Sequence, residues 1–218
     1  MSSTRLPGKV LLPALGRPLL EHMVERLRRA RRIDAIVLAI PDTPASDPLE
    51  ALAARLGVGC FRGSEDDVLG RVLGAAQAAG ADVIVEATAD CPLIDPALVD
   101  HVIEQFARGG ADYCSNTLER TYPDGMDVQV FPAAVLAEVA ALTHEPADRE
   151  HVSLYIYSHP ERYRVRGVVS GRPELGALRL TVDTAEDYER VRAIIEALYP
   201  SDPAFGLDAI LAECCARR

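Results

Sequence analysis

The sequence predicts an α/β fold built on a mainly parallel, mixed sheet, and three observations carry the prediction. Short apolar runs alternate with helix-period segments along most of the chain. Helix-start signals follow the strand-like runs at short distance, as they do in strand–helix units. After residue 118 the rhythm changes to hairpin-like pieces, which adds one antiparallel strand to the sheet. At 218 residues the chain can bury one sizeable core, so 1–218 is read as a single domain.

The elements follow in order. Pro18 opens a helix with Leu20, Val24 and Leu27 along one face. Arg26, Arg28, Arg29, Arg31 and Arg32 crowd its last turns. They resemble a phosphate patch, but cations at a helix carboxyl end suit the macrodipole and stay solvated, which is the stronger reading. AIVLAI, 35–40, is a continuous apolar run and predicts a strand buried on both faces. Asp47-Pro48-Leu49-Glu50 reads as a capping box with Pro at the first helical position, and the helix stops at Gly57. VGCF, 58–61, is a short strand, and Ser64-Glu65-Asp66-Asp67 starts the next helix. DVIVEAT, 82–88, is another buried strand. Asp95 caps a helix that Pro96 opens and that reaches the neighbourhood of Arg108. ADYCSN, 111–116, is β-like. Tyr122-Pro123-Asp124-Gly125 is a turn: Pro presets φ and Gly takes the unusual one. MDVQVF, 126–131, alternates with period 2, and helices start at Pro132 and near Pro146. YRVRGVV, 163–169, and LRLTVD, 178–183, are strand-like. Thr184 and Asp187 cap a helix through the region of Tyr199, and a last helix covers 207–215.

Composition narrows the function. A net charge of −10 argues against nucleic acid or an anionic membrane as main partner, so a substrate phosphate must meet a local cluster of donors. The five cysteines are odd in number and lack metal-like spacing, which fits a reduced cytoplasm. No apolar run reaches the ~18 residues of a membrane span, and no signal peptide is expected. Of the 23 basic residues only Lys9 is lysine. It is either a chance survivor of a drift toward Arg or a site that rejects Arg. A compact ammonium fits among phosphate oxygens where a planar fork does not, and its place after Pro7-Gly8 favours the second reading.

MSSTRLPGK, 1–9, has the make-up of a phosphate-holding loop, yet such loops hang from the carboxyl end of a buried strand and none precedes it. Asp90 follows the strand at 82–88 and stands where open α/β sheets bind ligands. Asp183 has the same placement after LRLTV. Capping is its alternative duty, with Thr184 a competing cap. Two carboxylates from two strand ends suit Mg²⁺ with a polyphosphate, or they are simply two structural aspartates.

The combination is more specific. S-T-R-L-P-G-K (3–9), G-R-P-L-L-E-H (16–22), T-A-D-C-P-L-I-D-P (88–96) and V-D-T-A-E-D (182–187) resemble the CMP-sugar synthetases, cytidylyltransferases that activate acidic sugars. The chain resembles in particular the subgroup called spore coat polysaccharide biosynthesis protein F, which also reads R-G-S-E-D-D-V-L (62–69), S-N-T (115–117), Y-P-D-G-x-D-V (122–128) and R-E-H-V (149–152). The resemblance implies a single-domain, Rossmann-like nucleotide-diphospho-sugar transferase fold. It implies that a sugar's anomeric hydroxyl attacks the α-phosphate of CTP and pyrophosphate leaves, for cell-surface or spore-coat polysaccharide synthesis. It implies that Arg5 and Lys9 hold the triphosphate with backbone around Ser2, Ser3, Thr4 and Gly8, that Asp90 acts with them, and that Asp90 and Asp183 ligate Mg²⁺. Ser64 and Arg71 fall near the nucleotide. Tyr122, Asp127, Arg149 and His151 fall in the sugar-side half, although Tyr122 could be turn packing and Arg149 with His151 a helix-face pair. The family also implies a homodimer.

The chain departs from the family at its front, where an apolar strand is expected before S-S-T-R. The reading therefore expects that first strand to be lacking and the domain to be N-terminally truncated, leaving unmatched edges on the neighbouring strands. Two alternatives stay open: a nucleotide-sugar-dependent glycosyltransferase of the same fold, and a nucleotide-binding remnant without catalysis.

Overall fold

A computed structural model describes residues 5–216. A small antiparallel ribbon, β1 (Pro13–Ala14) and β2 (Arg17–Pro18), leads into α1 (Leu19–Leu27). Strand–helix units follow: β3 (Val37–Pro41), α2 (Asp47–Leu56), β4 (Gly59–Gly63), α3 (Val68–Ala79), β5 (Val83–Glu86) and α4 (Pro96–Ala107). The second half runs β6 (Tyr113–Ser115), β7 (Gln129–Pro132), α5 (Ala133–Leu142), α6 (Pro146–Glu150), α7 (Leu154–Ser158), β8 (Val165–Gly167), α8 (Ala185–Leu198) and α9 (Leu207–Ala216). Strands β3 and β4 pair in parallel; a four-stranded sheet has the order β5-β7-β6-β8, with β7 antiparallel to both neighbours and β6 parallel to β8. The one antiparallel strand of that sheet is the MDVQVF segment.

Period-2 alternation divides the larger sheet between two cores. Val85, Val130 and Cys114 face a core closed by Leu20 and Val24 of α1, Val99 and Val102 of α4, and Ile194 and Ile195 of α8. Ile84, Phe131 and Tyr113 face the other, closed by Leu69 of α3, Leu136 and Val139 of α5, and Ile156 of α7. Neither core could be dry without the strict register of β7 against β5, where Ile84 meets Phe131 and Val85 meets Val130.

Four expectations change. The 35–40 run is not buried on both faces: Val37, Leu38 and Ala39 are half-buried, and only Ile40 is buried within β3. The reason is pairing. Among the described residues β3 and β5 belong to separate sheets, and Val83 of β5 is likewise exposed. The capping box at 47–50 does not form, because Arg62 takes both carboxylates, Asp47 at 3.0 Å and Glu50 at 2.7 Å. LRLTVD is extended but not a ladder strand; a single bridge joins Arg179 to Asp124. Arg26 is buried rather than solvated, donating to Ile94 O at 2.7 Å and Phe205 O at 2.9 Å. No described helix is long and apolar enough to cross a membrane.

Candidate active site

The Leu6-Pro7-Gly8-Lys9 segment is wound tightly by its own backbone. Lys9 N donates to Leu6 O at 3.2 Å and Leu11 N to Gly8 O at 2.8 Å, closing a 3-10 turn over Lys9–Leu11. Gly8 holds φ 69°, a left-handed conformation that side chains disfavour, which accounts for glycine before the lysine. The turn directs Lys9 toward the loop after β5. Its ammonium donates to Asp90 Oδ2 and to Asp183 Oδ1, both at 2.7 Å.

The two carboxylates reach this point by separate routes that are tied together. Asp90 lies on a loop folded by Cys91 N to Thr88 O at 3.1 Å and Ile94 N to Cys91 O at 3.2 Å. Asp183 ends the extended 178–182 segment, and Val182 N donates to Asp90 O at 2.9 Å. Capping of α8 falls to Thr184 and Asp187, which form a reciprocal box, and Asp187 Oδ2 also accepts Asp183 N at 3.1 Å. Asp183 is thereby released from capping duty and faces Lys9.

More charge surrounds the triad. Arg179 donates to Asp183 and, at 2.7 Å, to Asp124 Oδ2; Arg5, 63% exposed, has Nη2 at 3.3 Å from Asp183 Oδ2. Arg120 binds Asp127 in bidentate fashion at 2.9 and 3.0 Å. Burial pulls the Lys9 ammonium down, but hydrogen bonds and charge from Asp183 and Asp90 outweigh it and hold it above the ordinary lysine range. Burial likewise pushes the Asp183 carboxyl up, and Lys9, Arg179 and Arg5 together bring it below the ordinary range. The result is a nearly charge-matched cluster that keeps a fully ionised lysine between two carboxylates.

Other residues singled out by sequence have definite places. Ser64 Oγ accepts Asp67 N at 3.1 Å, and Asp67 caps α3 through Gly70 N at 2.8 Å. Arg71 ties this loop to β3, donating to Ser64 O and to Ala39 O at 3.3 Å. Arg149 joins α6 to the same cap, pairing with Asp67 and donating to Ala140 O at 3.1 Å. Tyr122 packs partly buried against the α1/α4/α8 core, and His151 is exposed after α6. Ser2, Ser3 and Thr4 lie outside the described residues. Sequence reasoning missed Arg179 and Asp124, although both stand in quoted motifs. The available signal was the four-residue step from Arg179 to Asp183 and the lone acid of the Y-P-D-G turn.

Among the described residues no three His, Cys, Asp or Glu side chains group as a metal site. Asp90 and Asp183 do converge on one cation, and two carboxylates with phosphate and water oxygens are a donor set that suits magnesium.

Comparison with known proteins gives these features a setting. The cytidylyltransferase family matches residues 1–212. The spore coat polysaccharide biosynthesis protein SpsF of Bacillus subtilis (strain 168) is 38% identical over 202 residues, covering 90% of this chain and 83% of that protein. A 3-deoxy-manno-octulosonate cytidylyltransferase of Anaeromyxobacter dehalogenans (strain 2CP-C) is 29% identical over 231 residues, 89% of this chain and 94% of that protein. A solved cytidylyltransferase from Leptospira borgpetersenii serovar Hardjo-bovis (strain JB197) superposes with TM-score 0.93 at 31% identity, over 100% of this chain and 91% of that one. The R-L-P-G-K turn and the two aspartates it bridges thus sit in a chain matched over nearly its full length by one family: it belongs to the cytidylyltransferase family.

Proposed function

We propose that this chain transfers CMP from CTP to the anomeric hydroxyl of a sugar or sugar acid, releasing pyrophosphate, for cell-surface or spore-coat polysaccharide synthesis. One observation carries the reading: the only lysine of the chain stands between Asp90 and Asp183 at the head of an R-L-P-G-K turn. The names of the Bacillus and Anaeromyxobacter relatives support the pathway and the nucleotide.

The reaction balances simply. The sugar oxygen bonds to the α-phosphorus, the bridging bond to the β-phosphate breaks, pyrophosphate keeps the electron pair and the hydroxyl proton is lost. Arg5 and Lys9 are the cations that hold the triphosphate. Lys9, on a flexible stem, can exchange carboxylate partners for phosphate oxygens. Asp90 and Asp183 would hold Mg²⁺, which when bound supplies charge neutralisation at the α-phosphate. Gly8 lets the backbone approach the phosphates, and the Val182–Asp90 bond fixes the distance between the two carboxylate loops. Positioning and charge stabilisation do the rest.

In this reading residues 1–218 act as one cytidylyltransferase unit, a homodimer in the cytoplasm, and no disulfide joins the described cysteines. The test is pyrophosphate release from CTP in Mg²⁺ against a panel of sugars and sugar acids. Equal or better use of UTP or GTP across the panel overturns the assignment.

A further inference from the structure

Glu86 closes β5, the strand that leads into the Asp90 loop, and the chemistry above does not use it. It lies opposite Gln129 in the β5–β7 ladder, and Gln129 lies opposite Ser115 in the β6–β7 ladder. Directly opposed residues share a face, so Glu86, Gln129 and Ser115 form a polar row across three strands. The row sits at the carboxyl end of β5 and β6, where open α/β sheets bind ligands.

Its other members are satisfied. Gln129 Oε1 accepts Tyr113 Oη at 2.5 Å and Ser153 Oγ at 2.6 Å. Ser115 Oγ and Thr117 Oγ1 are 2.8 Å apart. Glu86 is the exception: the residue is partly exposed, yet Oε2 is shielded and has no hydrogen-bond partner among the described residues. Burial alone pushes its carboxyl up to about 7, with no cation among the described residues offsetting it, and its charge is felt by Tyr113 and Tyr157. Folded proteins pair nearly all such atoms. The hydroxyls of Tyr113, Ser115, Thr117 and Ser153 bond to one another or to Gln129 and none donates to Oε2, which can therefore accept from a donor on a bound molecule.

The chemistry of that donor can be narrowed. A carboxylate or phosphate would meet like charge. A hydroxyl would give an ordinary hydrogen bond, whereas an ammonium gives a charge-assisted one and offsets the desolvation of the carboxylate. We propose that Glu86 is a specificity residue of the acceptor subsite, pairing with an amino group of the sugar, with Gln129 beside it in the row held in place by Tyr113 and Ser153. The inference rests on the CMP-transfer reading and names the acceptor class for it.

The test is sugar binding to the whole chain by ligand-observed NMR, using matched pairs: glucose and glucosamine, mannose and mannosamine, 3-deoxy-manno-octulosonate and its 8-amino-3,8-dideoxy counterpart. The expected result is at least tenfold tighter binding of the amino member in one or more pairs, lost in Glu86→Gln. Equal affinities, a preference for hydroxy members, a preference that survives Glu86→Gln, or no binding of any amino member overturns it. CTP binding, measured separately on both proteins, is expected to be unchanged by the substitution. Absent CTP binding in the native chain would sink the nucleotidyltransfer reading instead, so the two failures are distinguishable.

Discussion

Replacing Glu86 by glutamine should stabilise the protein above neutral pH and leave it unchanged in acid. The reasoning is linkage. The folded state holds the Glu86 carboxyl at about 7, while the unfolded chain releases its proton near 4.5. Between those values the folded state keeps a proton that the unfolded state has lost. Stability contributed at this site therefore falls as pH rises through that window, and the loss is complete above about 7. At about 1.36 kcal/mol per pH unit the difference amounts to roughly 3 kcal/mol. Partial exposure of the residue makes this a ceiling.

Glutamine keeps the shape and removes the ionisation. For a chain of this size each kcal/mol moves Tm by roughly 2–4 °C, so the variant should melt up to roughly 6–12 °C higher at pH 8 and at the same temperature at pH 4.5. The assay is thermal unfolding of both proteins across that range, read as the difference between them. His22, which burial holds below the ordinary histidine value, and Asp183 also titrate, but they are common to both chains and largely cancel. A difference independent of pH would refute the reasoning, because it would mean that the carboxyl does not titrate in the window. A variant less stable at pH 8 would refute it more directly, by showing that the carboxylate has a partner in the folded chain.

Lys9→Arg should stay folded and lose CTP turnover by roughly 10²-fold, since a planar fork does not fit among the phosphate oxygens where a compact ammonium does; steady-state pyrophosphate release decides it. Lys9→Met should destabilise the chain by about 1.5–3 kcal/mol by leaving Asp90 and Asp183 to repel, and millimolar Mg²⁺ should restore its Tm more than it raises that of the native chain; no metal response would count against the carboxylate pair as a magnesium site. Asp90→Asn and Asp183→Asn should each abolish most Mg²⁺-dependent turnover with little loss of fold, and a variant that instead unfolds with full activity per folded molecule would make that carboxylate structural. Asp95→Ala should cost about 1–2 kcal/mol, because Asp95 caps α4 through Ala97 N at 2.7 Å and also accepts Leu207 N at 2.6 Å; the loss should appear in Tm and not in turnover per folded molecule.

How far the sequence could be read depended on the range of the interactions. Local rules located Asp95 before Pro96, the Thr184–Asp187 box and Gly57 at the end of α2, because each is decided within one turn of chain. They failed at Asp47, where a capping box was outbid by Arg62, a residue delivered by β4. They failed at Arg26 too: its two carbonyl partners lie on the loop before α4 and the loop before α9, and no periodicity in α1 announces them. The 35–40 run was legible as a strand but not as a half-exposed one, since burial depends on which strands pair beside it.

The same division runs through the candidate site. Lys9, Asp90 and Asp183 could be singled out one by one, from a lone lysine after Pro-Gly and from acids at strand ends, yet only the fold makes them one object. Val182 N on Asp90 O is the bond that does it, and it is a backbone bond, invisible to any reading of side-chain types. It also explains why Arg179 was missed. An arginine four residues before an aspartate looks like a surface pair, but once the 178–182 segment is pinned to the Asp90 loop, that arginine is carried onto Asp124 and Asp183 at the rim of the triad. Lys9 and the arginines hold the two carboxylates in place, and in the proposed reaction a nucleotide that drew Lys9 to its phosphates would leave Asp90 and Asp183 free to hold a divalent cation.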